Sequence, residues 1–408
     1  MKKAIAFSGG GSKGSYQIGA WSALNEFGYE FDIAVGTSIG SINAAFYAQE
    51  EYETCKHFWE NLTLEDVMVN GINLDGKFVS LVEEMSSLKP FLKSYLAYKG
   101  ADITPFINNL QKAAKEDKFF SSKIDYALIS VKFPSLLPVE ITKKDILPDM
   151  LAHWINASCA VFPIFPMAVI NGQSYIDGGY YDKLPIASAF KLGATEVFAV
   201  DLNPECCHEA YRNHPFVKYL YPSSFLGPFM NFEHDAMMKN MNMGYRDTFK
   251  FFGKLYGKKY SFRIEEEKKA YFEYLANSFM HELSVLEANV RRSGRIINKS
   301  PVSAKCTEIL TGRLYYGRGL IDYFIAALEI CADYFWADNG EIIDINDFAE
   351  YMLSVISESG FRASSSVQDN LSSIKGVVRI FNKRYKRELE ADLDDSVIML
   401  CVFTALSV

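Results

Sequence analysis

The chain has 408 residues, of which 49% are hydrophobic and 23% are charged, and its formal net charge at pH 7 is -8. This size and apolar content predict a chain that is folded over most of its length, as one large domain or two moderate ones, and they exclude wholesale disorder. The negative charge excludes a protein that depends on a broad positive field, so we expect no nucleic-acid partner and only local or mainly apolar contact with a membrane surface.

Two strand-loop-helix units begin the chain. Residues 3–7 form a short β-prone run that ends in glycines, and residues 14–27 follow with apolar side chains at helical spacing. Residues 31–35 are typical of a second buried strand, and residues 39–48 of a helix rich in small residues. The repeated pattern predicts an α/β fold with a mostly parallel sheet and helices on its faces.

The middle of the chain adds further strands after a helical stretch. Residues 53–105 have a mostly helical pattern and predict an insertion or cover beside the sheet. Strands are predicted over residues 126–131 and 139–142, with a strand pair across residues 168–176 and a last buried strand over residues 196–201.

The strand pattern nearly disappears from about residue 256, and helical periodicity replaces it. Residues 320–335 show this most clearly, because their apolar side chains recur at helical spacing. We therefore divide the chain into an α/β domain over residues 1–255 and a helical C-terminal region of unknown role over residues 256–408.

Residues 36–40 read G-T-S-I-G and lie between a predicted buried strand and a predicted helix. This is the setting of a nucleophile elbow, in which Gly36 and Gly40 leave room for a sharp turn and the helix amino terminus favours developing negative charge. The pattern alone is common, and an ordinary glycine turn is the alternative. The flanking strand and helix favour Ser38 as the nucleophile of a serine acyl hydrolase.

Residues 9–14 read G-G-G-S-K-G and follow the first predicted strand. Backbone N–H groups of such a loop can stabilise the oxyanion that forms when an ester is attacked. The same letters satisfy the dinucleotide-binding pattern G-x-G-x-x-G, but the second strand ends at Ser38 rather than at the acidic residue which that reading requires. A P-loop is disfavoured because Lys13 precedes its glycine.

A nucleophilic serine needs a base. The sequence contains six histidines, but none of them has a setting typical of a catalytic triad. Asp177 is the stronger candidate, because it follows a predicted strand and because Gly178 and Gly179 permit a close turn beside the serine loop. A carboxylate can act directly as a base when its position and desolvation raise its basicity. A plain Asx turn is the alternative.

The seven cysteines are scattered, without C-x-x-C spacing, as in reduced intracellular thiols. The run Cys206-Cys207-His208 lacks the second ligand pair that zinc usually requires, so no metal site is expected. The amino terminus has no secretory apolar segment, and the longest apolar run, over residues 397–408, is too short to span a bilayer. We expect a cytoplasmic protein, with secretion by a route without a cleaved signal as the alternative.

Three motifs together resemble those of the patatin-like phospholipases, a family of lipid acyl hydrolases with a Ser-Asp dyad. The family's G-G-G-x-[K/R]-G, G-x-S-x-G and D-G-[G/A] are matched in order by residues 9–14, 36–40 and 177–179. Residues 157–160 and the run G-Y-R-D-T over residues 244–248 add supporting similarity. The resemblance covers about residues 3–255 and implies a three-layer α/β/α fold with a mostly parallel central sheet.

The resemblance also implies a mechanism and a substrate class. Ser38 would attack a fatty-acyl ester while Asp177 takes its proton, and water would hydrolyse the acyl-enzyme without a metal, calcium or another cofactor. A phospholipid or another fatty-acyl ester is the expected substrate, in a reaction of the phospholipase A or lysophospholipase type. Acyl transfer and carboxylesterase activity on other esters are the alternatives. The residues implied for the oxyanion hole are Gly9, Gly10 and Gly11, and those that support the motifs are Lys13, Gly14, Gly36, Gly40, Gly178 and Gly179.

Overall fold

The structure is a computed structural model that describes residues 2–69, 100–205, 208–292, 302–317, 319–336, 340–358, 373–379, 382, 389 and 391–406. The chain divides into two compact units, Met1–Thr248 and Phe249–Val408. Within the described ranges, no helix is long and apolar enough to cross a bilayer.

A mixed, eight-stranded sheet forms the centre of the first unit. The strands are β1 (Lys2–Phe7), β2 (Ile33–Thr37), β3 (Asp125–Phe133), β4 (Pro138–Thr142), β5 (Ala168–Ile170), β6 (Gln173–Asp177), β7 (Ala194–Val200) and β8 (Val217–Leu220). Successive hydrogen-bonded partners are β5-β6-β3-β2-β1-β7-β8, and β4 also pairs with β3. Strands β3, β2, β1, β7 and β8 are parallel, whereas β4, β5 and β6 make antiparallel pairs. The predicted mostly parallel sheet is therefore confirmed.

Helices flank this sheet in the predicted α/β/α arrangement. They are α1 (Ser15–Glu26), α2 (Ile39–Ala48), α3 (Tyr52–Asn61), α4 (Thr104–Ala113), α5 (Glu116–Ser121), α6 (Leu151–Ser158), α7 (Ile186–Lys191), α8 (Glu209–Arg212) and α9 (His234–Phe251), which continues past Thr248. All residues of α2 are buried, which its small side chains permit because neighbouring backbone can approach closely.

Helices α1 and α9 cross at two glycines. A Cβ at Gly244 would lie 1.9 Å from the Tyr16 carbonyl oxygen, and one at Gly19 would lie 1.7 Å from that of Met241. The two backbones are therefore in direct contact, and only glycine fits at these positions. This contact explains the first residue of the G-Y-R-D-T run that the sequence singled out.

Two parts of the first unit need comparison with the sequence-based predictions, the strand β8 and the predicted helical insertion. Strand β8 was not predicted, because four residues are too few for an alternating pattern to be recognised. The predicted helical insertion over residues 53–105 is described only at its two ends, by α3 and the start of α4. Residues 70–99, which make up most of it, lie outside the described residues.

The second unit is helical, as predicted. Its helices are α10 (Lys269–Arg292), α11 (Val302–Gly312), α12 (Leu320–Phe335), α13 (Ile345–Glu358) and α14 (Leu393–Leu406). Two strands of two residues each, β9 (Phe262–Arg263) and β10 (Ile343–Asp344), pair in parallel beside them. The buried Glu329 accepts hydrogen bonds from the Lys258 and Tyr260 amides at 2.7 and 2.9 Å, which ties the loop before β9 to α12.

Candidate active site

Ser38 occupies a strained turn between β2 and α2. Its φ of 53° and ψ of -129° lie in a region that side chains other than glycine rarely adopt. The turn is tight, because a Cβ at Gly36 would lie 2.1 Å from the Gly40 carbonyl oxygen and one at Gly40 would lie 2.2 Å from that of Phe7. Glycine is thus required on both sides of the serine, which is the local geometry of a nucleophile elbow.

The register of the sheet brings Asp177 beside the serine turn. Strand β4 pairs with one edge of β3, so β2 and β6 share its other edge. Along that edge Thr37 pairs with Ile129, and Asp177 pairs with the next residue, Ser130. The parallel strand β2 and the antiparallel strand β6 therefore end at adjacent positions, and Ser38 follows directly after the first of them.

Asp177 is almost fully buried, with 5% of its surface exposed. Burial raises the pKa of its carboxyl to about 6, against the opposing effects of the Ser38 hydroxyl, the Gly179 amide and the Lys183 ammonium. Its Oδ1 accepts a hydrogen bond from the Gly179 amide at 2.6 Å, whereas Oδ2 is in hydrogen-bonding geometry with no described residue. The strand register brings Ser38 close to this carboxyl, but no aligned hydrogen bond joins its hydroxyl to either oxygen, which is common in free enzymes.

The glycine loop presents two amides that have no hydrogen bond to the described part of the chain, those of Gly10 and Gly11. Gly11 adopts a φ of +59° and packs against the Phe229 carbonyl, which accepts a hydrogen bond from the next amide, that of Ser12, at 2.8 Å. The Gly9 amide is engaged, because it donates to the Lys183 carbonyl oxygen at 2.8 Å. Of the three glycines predicted for an oxyanion hole, Gly9 is thus unable to donate in this conformation.

A buried polar network holds this loop in place. The Gln17 side chain donates to the Ser8 carbonyl oxygen at 2.8 Å and accepts from Asn43 at 2.7 Å, and Asn43 in turn accepts from the Trp59 indole at 2.9 Å. Satisfied buried networks make a local structure rigid. Sequence reasoning missed these residues, although polar side chains on otherwise apolar helix positions were a signal that could have revealed them.

Ser158 holds the serine turn from the other side. Its Oγ accepts a hydrogen bond from the Ser38 amide at 2.9 Å and donates to the Ile129 carbonyl oxygen at 2.7 Å. The side chain is fully buried at the end of α6. The sequence offered Ser158 only as part of the run over residues 157–160, whereas the structure shows what its hydroxyl contacts.

Ser38 lies at the border of two cavities. A cleft of about 820 Å³ has Ser38, Asp177, Gly10 and Gly11 in its wall. A second, smaller and largely apolar cavity of about 50 Å³ also has Ser38 in its wall, and it is lined by side chains such as Phe58, Leu62, Phe106 and Phe165. One part of an ester placed at Ser38 can thus enter the cleft, and an apolar part can enter the smaller cavity.

Of the remaining predicted residues, Lys13 and Gly179 line this cleft. Lys13 is half-buried in its wall, where burial lowers its pKa and the charge of Lys183 lowers it further. Its ammonium lies 5.2 Å from the centre of the Phe225 ring. Gly14 caps α1, and Gly178 begins a 3-10 turn after Asp177.

Among the described residues, neither a histidine nor a metal-binding cluster is found at the site. Within the described residues no histidine lines the cleft, and His208 instead lies 2.9 Å from an Asp182 oxygen. The same part of the chain contains no group of three or more side chains that could hold a metal ion. Cys206 and Cys207, considered above with His208, lie outside the described residues.

Known proteins similar to this chain include fungal enzymes named "Lysophospholipase NTE1". The one from Mycosarcoma maydis is 27% identical over 206 residues, which are 50% of this chain and 10% of the relative. The one from Yarrowia lipolytica is 27% identical over 199 residues, which are 48% of this chain and 12% of the relative. The chain thus matches only about a tenth of the length of these relatives.

Two bacterial proteins of known structure resemble the chain distantly. The match to VipD from Legionella pneumophila has a TM-score of 0.42 at 12% identity, and it covers 99% of this chain and 91% of VipD. The match to the type III effector ExoU of Pseudomonas aeruginosa has a TM-score of 0.32 at 13% identity, and it covers 95% of this chain and 80% of ExoU.

The family model described as "Patatin-like phospholipase" matches residues 5–190. The match spans the glycine loop, the Ser38 turn and Asp177, together with the strands β1, β2, β3 and β6 that position them. Residues 5–190 of this chain therefore belong to the patatin-like phospholipase family.

Proposed function

We propose that the first unit hydrolyses fatty-acyl esters of glycerolipids, with Ser38 as the nucleophile and Asp177 as its base. The observation that supports this best is the pairing along β3, which places a buried carboxylate with a raised pKa next to a strained serine. A base with a pKa near 6 is ionised at neutral pH and retains more basicity than an ordinary carboxylate.

In this mechanism each proton has a defined path. Ser38 Oγ attacks the ester carbonyl while its proton passes to Asp177, and the amides of Gly10 and Gly11 stabilise the oxyanion. The tetrahedral intermediate collapses to an acyl-enzyme, and Asp177 returns the proton to the departing alcohol. Water then attacks the acyl-enzyme with Asp177 again as base, which releases the fatty acid and restores the free serine.

A lysophospholipid-like ester fits the surroundings of Ser38. The apolar cavity can accept part of an acyl chain, and the larger cleft can accept the polar remainder of the molecule. The relatives named "Lysophospholipase NTE1" favour the same class of substrate.

We also propose a transient contact between the mouth of the cleft and a lipid surface. Phe225 and Tyr180 both line the cleft and are 69% and 56% exposed. Exposed aromatic side chains beside a binding site are typical of surfaces that enter a membrane interface. Since the net charge is -8, this contact would depend mainly on apolar burial.

The decisive experiment combines active-site labelling with matched variants. A fluorophosphonate probe followed by peptide mapping should label Ser38, and both Ser38→Ala and Asp177→Asn should lose nearly all fatty-acid release. Ser188→Ala removes another buried serine, one that does not line the cleft, and should retain activity. Labelling of a different residue would overturn the mechanism, and glyceride or acyl-carrier products without free fatty acid would show acyl transfer instead.

A further inference from the structure

Two lysines from distant parts of the sequence line the cleft that contains Ser38. Lys13 lies in the 3-10 turn Gly11–Gly14 after the glycine loop, and Lys183 lies shortly after Asp177. The two segments are joined by the hydrogen bond of 2.8 Å from the Gly9 amide to the Lys183 carbonyl oxygen. Both cations therefore belong to the walls that also hold the proposed nucleophile and base.

Neither lysine forms an ion pair within the described part of the chain. This contrasts with Lys115 and Lys118, which both bind Glu51, and with Lys191, whose ammonium lies 2.6 Å from Glu140. Lys13 instead lies over the Phe225 ring. The cleft thus contains two ammonium groups whose hydrogen-bonding capacity is available to a ligand.

The described carboxylates of the cleft form no ion pair with either lysine, although the Lys183 charge lowers the pKa of Asp177. Asp177 is the proposed base, and Asp201 is fully buried, with bonds from the Tyr219 hydroxyl at 2.6 Å and the Leu202 amide at 2.7 Å. Glu205 is exposed to solvent. Two like charges held near each other on a partly buried wall repel, and an anion bound between them would relieve this repulsion.

The orientation of the substrate follows from the smaller cavity that also borders Ser38. This cavity is apolar, so it suits the acyl chain and not a charged group. The charged end of an ester bound at Ser38 would then extend into the cleft that holds the lysines. A phosphate group has several strong acceptor oxygens and a charge of about -1.5 to -2 as a monoester at pH 7, which matches two ammonium donors.

We propose that Lys13 and Lys183 form a subsite for the phosphate group of the acyl ester that Ser38 attacks. This rests on the proposed function, and it makes phosphorylated glycerolipids preferred over neutral glycerides. The chemistry recognised is a phosphate, which could be that of a lipid head group or free phosphate, and we infer the head group because a separate apolar cavity that borders Ser38 suits the acyl chain of the same molecule.

The test compares two esters that differ only in the phosphate, 1-octanoylglycerol 3-phosphate and 1-octanoylglycerol, both used below their aggregation limits. We expect Lys183→Met and Lys13→Met each to lower the ratio of kcat/KM for the phosphorylated to the neutral ester by about ten- to a hundredfold, as loss of a charge-assisted hydrogen bond does. Lys183→Arg should restore part of the ratio. Lys112→Met is the matched control, because Lys112 is exposed on α4 and does not line the cleft.

Binding to the Ser38→Ala variant gives a measurement that does not depend on turnover. Addition of Lys183→Met should weaken binding of the phosphorylated ester at least tenfold and that of the neutral ester far less. Equal losses of kcat/KM on the two esters in the lysine variants, and so an unchanged ratio, would overturn the proposal. If inorganic phosphate also inhibits the enzyme in that case, the lysines form a site for free phosphate. The proposed function and the phosphate subsite can fail separately. If Ser38 is not the nucleophile, Ser38→Ala retains hydrolysis, while Lys183→Met still weakens binding of the phosphorylated ester more than that of the neutral ester.

Discussion

Asp177 is a carboxylate that the fold keeps almost out of contact with water. The adjacent glycines let the chain turn so that the Gly179 amide satisfies one oxygen, while the other oxygen has no hydrogen bond to a described residue. A group in this state favours the neutral form more than it would in water, and it is correspondingly ready to accept a proton. Two consequences can be measured.

The first consequence concerns the pH dependence of hydrolysis. Because only the ionised form of Asp177 can serve as the proposed base, kcat/KM should rise with pH, reach half its maximum near pH 6 and become constant above about pH 7. Lys183→Met should move this midpoint to higher pH, since the Lys183 charge lowers the pKa of Asp177. A midpoint near pH 4 would show that the carboxyl is well solvated, and would contradict the assignment.

The second consequence concerns stability. The folded-state pKa of Asp177 is raised from 3.8 to about 6, so its contribution to stability is fully present below pH 3.8 and is lost as pH rises through about 6. Asp177→Asn should therefore increase the free energy of unfolding at pH 8 by up to about 3 kcal/mol, with little difference near pH 4. Urea unfolding at both values tests this, and an equal difference at both would exclude a charge effect. Glu205→Gln, which changes an exposed carboxylate of the same cleft, should have little effect at either pH.

At the scale of elements, the site depends on three strand ends. Strands β1, β2 and β6 carry the glycine loop, the serine turn and the carboxylate, and β3 aligns the last two. The sequence patterns located these strands because each is a short buried run that ends in glycine. They missed that β6 runs antiparallel to β3, since pairing partners are set by contacts between residues distant in sequence.

The contact between α1 and α9 leads to a prediction at this scale. Gly244→Ala would place a Cβ 1.9 Å from the Tyr16 carbonyl oxygen, so the helices must separate. We expect the free energy of unfolding to fall by about 1–3 kcal/mol, as overpacking typically causes. Urea unfolding followed by tryptophan fluorescence reports on this, because Trp21, Trp59 and Trp154 lie in the first unit.

The matched control for this variant is Gly312→Ala at the end of α11, where a Cβ would meet no atom within 4 Å. Alanine favours helix over glycine, so this change should leave stability unchanged or raise it by up to about 1 kcal/mol. If both variants unfold at the same urea concentration as the unmodified protein, the close approach of α1 and α9 is not as described.

At the scale of the whole molecule, surface properties decide how the enzyme would meet its lipid. The negative charge disfavours attraction to an anionic bilayer, whereas exposed aromatic side chains beside the cleft favour entry into an interface. Contact with lipid would then be reversible and would depend on a few side chains.

Phe225 is the side chain on which this can be tested. Phe225→Ser should weaken binding to uncharged phosphatidylcholine vesicles by about tenfold or more, because burial of one such side chain is worth about 1.5–3 kcal/mol. A vesicle sedimentation assay measures this. Phe216→Ser is the control, since Phe216 is 59% exposed and does not line the cleft. Equal effects of the two changes would contradict a contact at the cleft mouth.

The amino-acid sequence by itself determined the α/β pattern, the helical C-terminal region and the three glycine-containing motifs. These depend on local chemistry, such as apolar periodicity and backbone turns that only glycine allows, which can be recognised in short segments. Only the tertiary structure decided that Asp177 pairs beside the end of β2, that the Gly9 amide is occupied by Lys183, and that Lys13 and Lys183 share one cleft. Each of these depends on contacts between distant segments, because strand register and burial are properties of the packed chain.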